Sequence, residues 1–247
     1  MLIARCDGHA PLPKHEHANG HQTAASSVLQ LSSKGTQRDA TTKWEALRDE
    51  ILKCQRCPLA RSRTNAVPGA GPTDAALMII GEAPGRQEDM EGQPFVGAAG
   101  RLLTTLLEGA GIERGSVFIT NVVKCRPPEN RPPDPTERDA CHPFLLQQLE
   151  LIKPKIVCLA GRVPAEVFLG PQVSMSTMHG RSYEREGRTC FVIYHPAAGL
   201  YTQALVDVMK EDMSCLKSLL GQGTSGLTEA RDGQQSLTKF FGKPTKT

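Results

Sequence analysis

Four apolar runs punctuate the chain: residues 76–81 (ALMIIG), 117–123 (VFITNVV), 155–161 (KIVCLAG) and 190–196 (CFVIYHP). Each is short and nearly continuous in its hydrophobicity, as a strand buried on both faces must be. Helical patterns separate them. Leu102, Leu103, Leu106 and Leu107 form one stripe that stops near Gly109 and Gly111, and a helix starting near Pro135 buries Leu145, Leu149 and Ile152. A short helix carries Pro164 in its first turn, and a last helix ends near Leu220. Strands alternating with helices predict an α/β domain built on a mainly parallel sheet.

The alternating region spans residues 42–221 and is expected to be one domain. Residues 1–41 are polar and aperiodic and hold four of the seven histidines (His9, His15, His17, His21), so they read as a disordered extension. Order is expected from Thr42, where Thr42 and Glu45 have the spacing of a capping box and Trp44, Leu47, Ile51 and Leu52 follow at helical intervals. No apolar run approaches the roughly 18 residues that cross a membrane, and the N-terminus lacks a signal-peptide core, which predicts an intracellular protein without a membrane partner. The net charge of +3 is compatible with nucleic acid without arguing for it.

In such sheets ligands bind beyond the carboxyl ends of the strands. There this chain places Gly81-Glu82, Asn121, Gly161 and Tyr194-His195. The loop after the first strand runs for some twenty residues (GEAPGRQEDMEGQPFVGAAGRLL, 81–103), where about 4–6 suffice for a plain connection. It matches neither G-x-G-x-x-G nor the P-loop ending G-K-[ST], which disfavours a phosphate cradle. A carboxylate (Glu82), an amide (Asn121), an imidazole (His195) and a ring (Phe95) at one rim suit the holding and cleavage of a flat, hydrogen-bonding ligand.

Of eight cysteines, Cys158 and Cys190 lie inside apolar runs and read as core, Cys6 lies in the polar extension and Cys215 in a helical stretch. The other four remain. Cys54-x-x-Cys57 has the bite of a metal clip, while Cys125 and Cys141 are single thiols bracketing a proline-rich loop. Structural zinc usually repeats the close pair, and an iron–sulfur cluster suits this spacing at least as well.

Taken together, CQRCPL, GEAPGRQEDMEGQPFVGAAGRLL, ITNVVKCRPPENRPP, CHPFL with QLELIKPKIV, and YHPAAGL resemble the family-4 uracil-DNA glycosylases over residues 44–220. The resemblance implies a three-layer α/β/α fold around a four-stranded, mainly parallel sheet, and a 4Fe–4S cluster on Cys54, Cys57, Cys125 and Cys141. It implies that Phe95 stacks on an extruded uracil, Asn121 reads its Watson–Crick edge and Glu82 positions water, flanked by Gly81 and Ala83. His195 would face a pyrimidine oxygen, and Glu88 would crowd the 5-methyl of thymine. The expected activity is hydrolysis of the uracil N-glycosidic bond in single- and double-stranded DNA by a monomer, leaving an abasic site for base excision repair. The competing reading is a catalytically weak nucleic-acid-binding module that retains the cluster and the pocket. Where the family has a leucine-rich turn and an arginine that wedges into the duplex, this chain has HPAAGLYTQ, which leaves Leu200 or Tyr201 for that task. A related group forms a covalent adduct through a histidine after the second strand; KCRPPENRPP has none, so hydrolytic turnover is expected.

The tail, residues 222–247, reads as a linker until QQSLTKFF. Gln234, Leu237, Phe240 and Phe241 fit Q-x-x-[LIM]-x-x-[FY]-[FY], the pattern of peptides that dock on sliding clamps of the PCNA type. Adjacent aromatics in a polar tail suit anchors for a partner. With a cluster-bearing glycosylase, such a motif implies an archaeal source.

Overall fold

The computed structural model describes residues 2–3 and 26–221, with side chains from residue 39 onward. Strand β1 (Leu2–Ile3) and helix α1 (Ser26–Lys53) come first, and a single turn, α2 (Leu59–Ser62), leads to β2 (Leu77–Gly81). The long loop folds into α3 (Arg86–Glu91) before α4 (Ala98–Gly109), and β3 (Val117–Asn121) and α5 (Pro135–Ile152) follow. Then come β4 (Ile156–Ala160), α6 (Arg162–Leu169), α7 (Met175–Met178), β5 (Arg181–Arg185) and β6 (Arg188–Ile193). Helices α8 (Pro196–Tyr201) and α9 (Gln203–Gly221) close the domain.

The sheet order is β1-β5-β6-β4-β2-β3. The four expected strands form its parallel part, with β2 between β3 and β4 and β6 beyond β4. Two antiparallel strands extend it at the β6 edge, which makes six rather than four. The missed strand β5 has no apolar run, because none of its residues is fully buried. Its signal was the turn: Glu186 (φ 51°) and Gly187 (φ 72°) are both left-handed, as a two-residue hairpin of matching twist requires.

Two described elements reach into the stretch 1–41 that the sequence reads as an extension. Helix α1 begins at Ser26 and Thr42 lies in its middle, while Leu2–Ile3 pairs with β5. No proline occurs between Pro13 and Pro58, so nothing in the backbone chemistry stops the helix at the apparent cap. The four histidines and the clamp-like motif 234–241 lie outside the described residues.

Side chains of a strand point alternately to opposite faces, and β2 shows the result. Met78 and Ile80 join a core with Leu47, Ile51, Phe144, Leu145 and Phe168, from α1, α5 and α6. Leu77 and Ile79 join a second core with Leu103 and Leu107 of α4 and Met213 and Leu216 of α9. Helices therefore cover both faces, giving the expected three layers. Trp44 of α1 meets Phe118 of β3 edge to face, with ring centroids 5.1 Å apart at 86°. Phe118 is fully buried, which for such a side chain contributes about 1.5–3 kcal/mol, and Trp44 is partly buried against it.

Connections from β2 lead to one side of the sheet and connections from β4 to the other. The carboxyl ends of these neighbouring strands therefore flank a topological switch point, where a crevice opens.

Candidate active site and thiol-lined recess

β2 ends at Gly81 because no side chain fits there. A Cβ would collide with Asn121 Oδ1 and come within 2.7 Å of the Phe95 ring. The amide and the ring thus converge on the strand end. Asn121 closes β3 and is only 1 % exposed, yet its Oδ1 has no hydrogen-bond partner. An orphaned buried acceptor costs about 1–3 kcal/mol, so this one is an acceptor held ready for a ligand.

Phe95 holds a left-handed backbone (φ 53°), a strained state for a residue with a Cβ. Arg114 holds it there by donating to the carbonyls of Pro94 (3.1 Å) and Phe95 (2.9 Å) and to Thr104 Oγ1 (2.9 Å). Burial lowers the pKa of this guanidinium from its usual value. A Cβ on Gly100 would overlap the Phe95 carbonyl, so α4 can lie against the strained residue only with glycine there. Nothing in the local sequence pattern singled out Arg114.

Glu88 turns back across its loop and accepts from the backbone N–H groups of Val96 (3.1 Å) and Gly97 (2.9 Å), at the start of α4. It braces the segment that carries Phe95 and complements the helix dipole. Asp89 braces the other side, accepting from the N–H groups of Thr64 (2.9 Å) and Asn65 (3.3 Å). This explains the length of the loop: much of it is scaffolding for one ring.

His195 caps α8. Its Nδ1 accepts from the Ala197 N–H at 3.1 Å, so the neutral ring carries its proton on Nε2. Burial drops its pKa to about 4, with the Glu88 charge working in the opposite direction. At neutral pH His195 is therefore an uncharged Nε2–H donor. Its ring centroid lies 5.7 Å from that of Phe95, tilted by 31°. Gly161 (φ 103°) makes room for it, since a Cβ there would come within 2.9 Å of His195 Cβ.

Burial raises the pKa of Glu82, opposed by Arg138, while Glu166 adds to the rise. Arg138 lies 3.8 Å from Glu166, which Arg162 also engages at 2.6 Å. Ala83 packs against the first core. Gly81, Glu82, Phe95, Asn121 and His195 thus cluster at the switch point, with Glu88 on the supporting loop. On the same rim, immediately after His195, α8 ends in Leu200 and Tyr201, 47 % and 90 % exposed.

Cys54, Cys57, Cys125 and Cys141 line a single apolar recess with Ile51, Ala60, Ala140 and Phe144. All four are free thiols. Each of three sulfurs has an N–H donor: Arg56 N on Cys54 (3.4 Å), an Arg63 guanidinium on Cys125 (3.0 Å) and Lys124 N on Cys141 (3.3 Å). Arg63 also donates to the Leu52 and Cys54 carbonyls, each at 2.9 Å, tying the two ligand-bearing segments together. Among the described residues no three of His, Cys, Asp or Glu close on a point that one ion could occupy. Four thiols spread around one apolar recess, with N–H groups on their sulfurs, fit a polynuclear iron–sulfur group whose irons each take one cysteine.

Between pocket and recess lies Lys124, also unforeseen from the sequence. It is 1 % exposed, and its ammonium donates to Asn121 O (2.7 Å), Thr120 Oγ1 (2.8 Å) and Gln148 Oε1 (2.6 Å).

A ring, a buried amide with an unpartnered acceptor and a neutral imidazole at the rim of a parallel sheet suit a flat, hydrogen-bonding ligand, as in an α/β/α enzyme of the base-binding class. The family model described as "Uracil DNA glycosylase superfamily" matches residues 68–213. A type-4 uracil-DNA glycosylase of Sulfurisphaera tokodaii is 44% identical over 184 residues, 71% of this chain and 84% of the relative. One from Archaeoglobus fulgidus is 43% identical over 181 residues (70% and 91%), and one from Thermotoga maritima 41% over 180 (71% and 94%). The chain belongs to the uracil-DNA glycosylase superfamily, and within it to the type-4 group.

Proposed function

We infer that the protein releases uracil from DNA by hydrolysing the N-glycosidic bond. The observation that carries this is the unpartnered, buried Oδ1 of Asn121, which converges with the Phe95 ring on the end of β2, where the His195 ring lies 5.7 Å from that of Phe95. A base inside a duplex is out of reach, so it must be flipped, at a cost of a few kcal/mol. Oδ1 then accepts from the uracil ring N–H, a group that cytosine lacks at that position, so cytosine leaves the acceptor unpaired. The bond between C1′ and the base nitrogen breaks, its electron pair leaves with the base, water oxygen bonds C1′, and the proton that the water sheds ends on the departed base. His195 Nε2–H donates to the pyrimidine oxygen on which charge develops, where a preorganised donor is most effective. Glu82 orients the water and favours the cationic sugar. Glu88, strapped to its loop, stands where the 5-methyl of thymine would enter.

Cys54, Cys57, Cys125 and Cys141 are proposed to hold a 4Fe–4S cluster, which when bound links three segments of chain. Replacing Cys141 by Ala should lower thermal stability and DNA affinity together. A variant changed in neither would refute the structural role. Leu200 and Tyr201 are proposed to fill the gap left in a duplex. Gln234, Leu237, Phe240 and Phe241 are proposed to dock on a PCNA-type clamp, which would place the enzyme with DNA inside the cell as a clamp-tethered monomer.

The test is uracil release from a single-stranded oligonucleotide and from a U:G duplex, read by alkaline cleavage of abasic sites. Release from both is expected. No release from protein with an intact cluster spectrum would return the protein to the class of binding modules.

A further inference from the structure

Three residues separate Asn121, the reading amide, from Cys125, the first thiol after it, and the Lys124 side chain folds back across that gap. We propose that Lys124, locked by Gln148, is a positioning residue for Asn121. This rests on the glycosylase reading and assigns a specificity role to residues outside the pocket.

Every donor of the Lys124 ammonium is used, and none of its acceptors is a carboxylate. A buried lysine is costly to desolvate, and the Cys125 and Cys141 sulfurs nearby oppose that cost electrostatically without accepting any of its three hydrogen bonds. What the ammonium adds is direction. It takes the main-chain carbonyl of Asn121, the last residue of β3, while the N–H of the same peptide, on Val122, donates to the Gly81 carbonyl at 2.9 Å. The ladder holds Asn121 from one side, through its register with Gly81, and Lys124 holds it from the other. Together they fix the peptide planes around Asn121, and with them the direction in which its amide leaves the backbone.

The lock has a rigid anchor. Gln148 of α5 accepts from Lys124 and donates to the Pro68 carbonyl at 2.6 Å, and Thr120 Oγ1 donates to the same carbonyl at 2.9 Å. The Lys124 carbonyl in turn accepts from Val67 N–H at 2.7 Å. Strand, helix and loop therefore meet on one fully paired network, and its output is the orientation of a single side chain that is itself left unpaired.

The experiment is a double-mutant cycle on the full, cluster-loaded chain. Gln148→Leu is the primary variant, because Gln148 touches none of the thiols; Lys124→Met is the second. Each is made alone and with Asn121→Ala, and each is measured by single-turnover uracil release from a single strand and by binding of free uracil. Cluster absorbance and affinity for abasic-site DNA are followed alongside. Misplacing a reading group by a fraction of an ångström slows a well-oriented reaction by about 10–100-fold. That loss is expected in both variants, with a matching loss of uracil affinity and with abasic-site affinity within about 2-fold of the parent. In the Asn121→Ala background the same substitutions should change the rate by less than about 2-fold. Equal losses in both backgrounds, or no loss in either variant, would overturn the role of Lys124 and leave the glycosylase reading intact. A parent protein that releases no uracil would overturn that reading, and the inference with it.

Discussion

The rim pocket and the thiol-lined recess treat their polar groups in opposite ways. In the pocket Asn121 Oδ1 is buried without a partner, and Phe95 is held in a left-handed backbone. Beside the recess, Lys124 and Arg63 each make three hydrogen bonds, and three of the four sulfurs receive an N–H. One side is left incomplete and strained, the other closed and paired. Incompleteness belongs where a substrate will supply the missing partner, and it persists only because the surroundings over-determine it.

The contrast can be broken most severely at Asn121. Asn121→Ala should remove the orphaned acceptor, slowing single-turnover uracil release by about 10²–10³-fold while thermal stability stays equal or rises. A variant that is both slow and unstable would show that Oδ1 is paired within the fold after all. Next is Arg114→Ala, which leaves the Phe95 carbonyl without its clamp. It should cost about 1–3 kcal/mol in chemical denaturation and slow release by roughly 10-fold as the ring leaves its place.

A pH series sharpens the comparison from another side. With its pKa near 4, His195 stays neutral in the folded protein while an unfolded histidine, near 6.5, takes up its proton. The unfolded state then binds more protons, so the His195 contribution to stability is full above about pH 6.5 and lost as pH falls toward 4. The single-turnover rate should show no His195 step near 6.5; as pH falls it should decline as Glu82, whose pKa burial raises from its usual value, takes up its proton, and again near 4 as His195 does. A step at 6.5 in the rate, absent from a His195→Asn variant, would mean that the imidazole is not desolvated. The smallest effect is expected at Tyr201→Ala: release from a single strand within about 2-fold of the parent, and from a U:G duplex slower by about 10-fold.

How much of this was legible follows the same division. The parallel strands showed because each is buried on both faces, and β2 is buried at every position. Glu82, Phe95, Asn121 and His195 stood out because polar and aromatic residues at strand ends break the apolar pattern. β5 was illegible because it lies half exposed, flanked on its outer side only by the two residues of β1, and the start of α1 because a polar helix leaves no periodic trace. Arg114, Lys124 and Gln148 were invisible for a deeper reason. Their partners lie 19, 3 and 80 residues away, and only the folded chain brings a guanidinium onto the Phe95 carbonyl or an amide onto Pro68.

The glycines at the rim carry a consequence for how such a chain can change over generations. At Gly81 and Gly100 any side chain strikes the ring, the amide or the backbone of Phe95, and at Gly161 it strikes His195. Mutation therefore has no small step to take at the chemical centre. The tip of α8 is different: Tyr201 stands almost wholly in solvent and Leu200 about half so. Variation should therefore accumulate in how the enzyme grips DNA, while what it removes from DNA stays sterically frozen.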